Sequence, residues 1–217
     1  MFYLLLYLYL TTIGVAFISS LVSVTFHFPK HLQWFSFFLG LSFLVEMTAN
    51  FIFPALHLNR YRNALYNVFS LVEFIFYAYF FYSLTLKQWI KKAQIFFMCL
   101  FPFIWAKLVF DKDGFYKWHG DQIAIGGFFM VCFALLFIYH LADTEEPIAL
   151  SKHAEFWIAI GLVLYYSCET PFMGTLKYLS SHYLSLAKLL LKVSMVINSI
   201  MYCLFTYAFL CRNRKFL

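Results

Sequence analysis

Glu46, Glu73 and Glu169, with Lys188 and Lys192, stand inside stretches otherwise built mainly from Leu, Ile, Val, Phe and Ala. A charged side chain at the centre of a hydrocarbon layer costs about 2.5–3.5 kcal/mol on insertion scales, so such residues usually mark a binding site, an ion path or a proton relay. Two carboxylates at one depth can share a proton or a cation. A pair whose ionisation is pushed apart could also act as general acid and general base.

Each acidic residue has polar company at helical spacing. Asn50 follows Glu46 by four residues, on the same helix face. Asn63, Tyr66, Asn67, Ser70 and Glu73 recur at intervals of three and four, which draws a polar stripe that must face a protein interior rather than lipid. Tyr165 and Glu169 are four apart, just before Pro171; Lys188 and Lys192 are also four apart, with Ser199 continuing their face. Ser194 and Asn198 fall on a different face and are expected to serve helix packing. Lys188 can reach an interface by extending its chain. The candidate ligand-binding set is therefore Glu46, Asn50, Asn67, Ser70, Glu73, Tyr165, Glu169 and Lys192, and a Glu–Lys192 ion pair is the main structural competitor.

Other chemistries find no pattern. There is no HExxH, nucleophile elbow, glycine-rich phosphate loop or zinc spacing, so no catalytic residue, metal or cofactor is assigned. His27, His31, His57, His119, His153 and His182 fall in or near connections, and His140 lies at the far end of its segment from the carboxylates. Cys99, Cys132, Cys168, Cys203 and Cys211 read as small buried hydrophobes, with neither a disulfide framework nor a zinc site implied. A retinal Schiff base on Lys192 is not expected, because the residue one turn earlier is Lys188 and not an Asp.

The elements that must position these residues are seven apolar segments: Phe2–Val24, Leu32–Leu56, Asn63–Leu86, Ile90–Val109, Ile123–Ala142, Ala154–Met173 and Leu184–Leu210. Each is about the length that crosses a bilayer as a helix, far longer than a barrel strand. The first run is too long for a signal-peptide core and lacks a basic start, so it is kept as helix one. The expected fold is an all-α membrane protein, a seven-helix transmembrane bundle forming one domain over residues 1–217. Only about six residues join helices two and three, so these are expected to be antiparallel neighbours. Glu46 lies ten residues before the end of helix two and Glu73 ten after the start of helix three, which sets both roughly 15 Å below one boundary. Pro102 is expected to kink helix four, and Gly126–Gly127 to allow a close approach in helix five.

Composition agrees. Hydrophobic residues make up 64% of 217 and charged residues 12%, about half the soluble average. Thirty Phe and sixteen Tyr fit a lipid-facing surface with aromatic belts at its interfaces. The net charge of +6 is read as topological rather than as a nucleic-acid footprint. One side carries Lys30, Lys87, Lys91, Lys92, Lys152, Arg212, Arg214 and Lys215; the other carries Arg60, Arg62, Lys107, Lys112, Lys117 and Lys177, diluted by Asp111, Asp113 and Asp121. That bias favours an outside N-terminus and a cytoplasmic C-terminus. The carboxylates and Lys192 then lie in the outer half, around a cavity open to the outside.

Glu46, then Tyr66, Asn67, Ser70 and Glu73, then Phe156, Trp157, Ile158, Gly161, Tyr165 and Tyr166, with Asn198 and the basic tail, form a pattern covering the whole chain. In it the chain resembles the small seven-helix inner-membrane proteins of Bacteroidetes-type bacteria. The resemblance implies a bacterial cytoplasmic-membrane location and supplies no activity. From the residues themselves, the leading expectation is a sensory or ligand-binding bundle with an outward-facing polar pocket. Its partners would be membrane lipid, a small molecule and, since little chain follows Leu210, a signalling protein. A proton- or cation-coupled transporter is the alternative, and an intramembrane lipid-modifying enzyme ranks third.

Overall fold

The computed structural model describes residues 2–24, 29–111, 114–143, 150 and 153–213, and the described residues contain helices and turns but no strand. Seven long helices run α1 (Phe2–Val24), α2 (Lys30–Ala55), α3 (Arg62–Leu84), α4 (Gln88–Asp111), α5 (Gly120–Ala142), α6 (Ala154–His182) and α7 (Leu184–Asn213). All seven are long and apolar enough to cross a membrane, as the helices of an integral membrane protein are. His27, Lys112, Asp113, Lys152, Arg214 and Lys215 lie outside the described residues, as do the side chains of Asp111 and Arg212.

Six helices close a ring. α1 packs on α2 and α7, α2 on α3, α3 on α5, α5 on α6 and α6 on α7, whereas α4 lies outside, against α3 and α5. Small residues set the closest approaches. A Cβ on Gly126 would strike the Phe74 ring of α3, and one on Gly127 would strike Thr170 and Tyr166 of α6. This is the close packing expected of that Gly pair. α4 runs through Pro102 as one helix.

One half of the ring is filled with aromatic side chains. Phe35 sits 5.1 Å from Phe80 and 5.2 Å from Phe205, ring centre to ring centre, and Phe38 stacks on Phe76 at 4.2 Å. These residues come from the start of α2 and the later halves of α3 and α7, so the bundle is packed shut at that end. A His31 Nε2–Glu155 Oε1 contact of 2.9 Å ties α2 to α6 there.

Two boundaries differ from expectation. α6 continues nine residues past Met173, to His182, leaving only Tyr183 before α7 in place of the expected Gly174–Tyr183 connection. Pro171 removes one N–H from the helix ladder, but Thr175 Oγ1 donates back to the Pro171 carbonyl at 2.8 Å and the helix carries on. The cysteines also differ. Cys99, Cys168 and Cys203 are exposed, and Cys132 and Cys211 only partly covered. A small hydrophobe is equally stable against lipid, so an apolar setting alone did not fix burial.

Candidate functional site

α2 holds the local feature on which the site is built. Pro54 offers no N–H to the carbonyl of Asn50, four residues earlier, and the helix widens into a π turn over Thr48–Ile52. π turns are rare and cluster at functional sites. Here the turn lies directly after Glu46 and contains Asn50. Asn50 Nδ2 donates to Glu46 Oε2 at 2.9 Å and to the Glu46 carbonyl at 3.0 Å, so carboxylate and backbone are held by one amide. Tyr66 of α3 donates its hydroxyl to the same Oε2 at 3.0 Å, and the Tyr9 hydroxyl of α1 faces that carboxylate. Beyond the turn, His57 takes a left-handed φ of 57° and Leu58 N–H returns to the Phe53 carbonyl at 2.7 Å, ending α2 and pointing the chain back into α3.

These groups border a cavity of about 210 Å3 lined by the ring of six helices and open on one side. Ser42, Glu46 and Asn50 line it from α2; Tyr66, Phe69, Ser70 and Glu73 from α3; Tyr165, Tyr166, Glu169 and Met173 from α6. α1 contributes Leu6 and Tyr9, and α5 contributes Ile123 with Trp118 just before it. α7 contributes Ser194, Met195, Asn198, Met201 and Tyr202. The lining comes from the halves of the helices nearest the α2–α3, α4–α5 and α6–α7 connections, opposite the aromatic-filled end. A second cavity of about 410 Å3 adjoins it at that end, shares Trp118 and Met173, and carries Lys117, His119, Asp121 and Lys177.

Glu169 is buried and accepts from Ser194 Oγ at 2.8 Å, joining α6 to α7. Glu73 is only partly covered, because its side chain opens on the cavity. Tyr166, on the same wall, has its hydroxyl turned toward Glu73 but finds no partner at hydrogen-bond geometry. Asn198 Oδ1 and Trp118 Nε1 are likewise buried without a protein partner. Three residues of one wall thus carry unsatisfied polar atoms, where buried polar groups are nearly always satisfied.

Six of the eight expected residues meet at this cavity: Glu46, Asn50, Ser70, Glu73, Tyr165 and Glu169. Asn67 does not. It is fully enclosed, donates from Nδ2 to the carbonyls of Phe115 at 2.9 Å and Lys117 at 2.8 Å, and accepts from Gln122 Nε2 at 2.9 Å. Its role is to pin the α4–α5 connection, including the segment that presents Trp118. Lys192 does not line the cavity either, and among the described residues no ion pair joins it to a Glu. It precedes Ser194 by two residues, about 200° round the helix at 3.6 residues per turn.

The face of α7 that meets the cavity is the one carrying Ser194 and Asn198, for which the sequence alone suggests helix packing. Ser194, Asn198 and Tyr202 repeat at four-residue spacing, and that period was the available signal. The tyrosines, Tyr9 and Tyr202 above all, were hidden by their number, since a chain with sixteen Tyr offers interfacial belts as the ready explanation.

Among the described residues no His or Cys lines the cavity, and no three His, Cys, Asp or Glu side chains could hold a metal ion. No protein-family model, curated protein or solved structure matches the chain.

Proposed function

We propose that this protein is a ligand-binding bundle of the bacterial cytoplasmic membrane, which takes a small molecule into the six-helix cavity and passes its occupancy to a partner protein. The observation that carries this reading is the placing of Glu46, Glu73 and Glu169 around one cavity in the bundle, beside the unsatisfied Tyr166, Asn198 and Trp118 atoms. Carboxylates kept inside an apolar bundle are costly, and packing alone would have favoured apolar residues. The cavity has room for several water molecules at about 30 Å3 each, which matches a small solute better than a lipid chain. The filled aromatic end favours a site entered from one side over a path through the bundle. With the N-terminus outside, as the Lys and Arg distribution favours, that side is the outer one. Ligand-dependent change would be registered first by α2, whose π turn joins the Glu46 carboxylate to the backbone through Asn50.

Native mass spectrometry of the full chain in gentle detergent, beside a Glu46→Gln/Glu73→Gln variant, tests this. The expected result is a discrete non-lipid adduct on the wild type that the folded variant lacks. The same lipid adducts on both proteins, and nothing else, would remove the binding reading.

A further inference from the structure

We infer that the molecule taken into the cavity is a small organic ammonium ion, an inference that rests on the cavity being a ligand site. Three carboxylates, from α2, α3 and α6, share the wall, and among the described residues no Lys, Arg or His lines it. Arg62, which is within electrostatic reach of Glu46, lies on the exposed head of α3 outside the lining. The two lysines of the adjoining cavity, Lys117 and Lys177, share that space with Asp121 and His119. An anion in the inner cavity would meet no cationic side chain, and beside a neutral molecule the buried carboxyl groups are free to take up protons, whereas a cation is the one ligand charge that pairs with them as carboxylates.

The kind of cation follows from the rest of the wall. Among the described residues the acidic side chains do not converge as a metal site requires. They are spread around a space lined by Tyr9, Tyr66, Trp118, Tyr165, Tyr166 and Tyr202. The rings come in tilted or edge-on pairs, Tyr66 with Trp118 at 5.9 Å, Tyr9 with Tyr202 at 6.1 Å and Tyr165 with Tyr166 at 4.8 Å, centre to centre. Aromatic walls attract an alkylammonium ion through the negative faces of the rings, and they cover its apolar shell as water would not. The Tyr166 hydroxyl and Asn198 Oδ1 are buried beside this space without a hydrogen-bond partner. Carboxyl groups and rings on one wall, with no basic side chain described there, therefore favour one class of ligand.

The test uses three probes of nearly one shape: choline, its uncharged carbon isostere 3,3-dimethylbutan-1-ol, and the anion 3,3-dimethylbutanoate, with n-butylammonium as a second, N–H-bearing cation. Each is titrated calorimetrically into the full chain in lipid nanodiscs. At least one ammonium ion should bind about tenfold or more tighter than the neutral isostere, and the anion should not bind. Glu73→Gln should erase the advantage of the cation while leaving the weak binding of the alcohol unchanged, which also shows that the variant is folded. Trp118→Leu, at the cavity edge, should weaken the cation selectively. Equal binding of cation and isostere, tighter binding of the anion, or failure of both ammonium ions would overturn the inference. A native-mass adduct with the mass of a neutral or acidic compound would overturn it too, while leaving the cavity a ligand site.

Discussion

Asn67 and Glu73 stand six residues apart on α3 and meet different demands. Asn67 is fully enclosed and spends its side chain on the Phe115 and Lys117 carbonyls and on Gln122, so its removal strands several buried groups at once. Leaving buried donors or acceptors unpaired costs about 1–3 kcal/mol. Asn67→Ala is therefore expected to lower the thermal midpoint of the protein in detergent and to speed proteolysis between Gly114 and His119, whereas Glu73→Gln should do neither. Unchanged midpoints for both variants would show that Asn67 is not the anchor of that connection. At this scale the carboxylates were legible in the sequence because a charge in an apolar run has few bland explanations. For Asn67 the pattern is less informative, because a polar stripe does not say which of its members meet a cavity and which meet a loop. That depends on where Phe115 and Lys117 return, and no local pattern records it.

The helices were legible as apolar runs, and their irregularities were not. α6 passes through Pro171 because a neighbouring threonine and its packing on α5 and α7 hold the backbone in place. The π turn of α2 reflects Pro54 acting together with Asn50, a pairing that a helix-length count overlooks. Helix contact at the site also depends on single glycines. A Cβ on Gly120 would meet the backbone carbonyl of Met173, a residue of the cavity wall, whereas one on Gly14 would make an ordinary 3.5 Å contact with the Phe43 ring. Backbone cannot yield as a side chain tip can. Gly120→Ala should therefore destabilise the bundle by about 1–3 kcal/mol, while Gly14→Ala stays near neutral. Thermal unfolding of the two variants side by side checks this, and matching midpoints would contradict the close α5–α6 approach.

Taken whole, the molecule is a ring of six helices with one half filled by Phe and Tyr and the other half left open around three glutamates, and α4 braces the outside. Seven spans could be counted in the sequence because length and apolarity are local properties. Ring order could not, since the α1–α7 contact joins the two ends of the chain, and it is this closure that turns scattered Tyr, Ser and Asn residues into a single wall. The open half is the central claim, and an experimental density map of the protein in nanodiscs made from its native membrane tests it most directly. The account predicts non-protein density in the cavity, in contact with Glu73, Tyr202 and Asn198, and side chains arranged around it. Side chains collapsed into the space, or Glu46 and Glu73 turned outward to lipid, would contradict it.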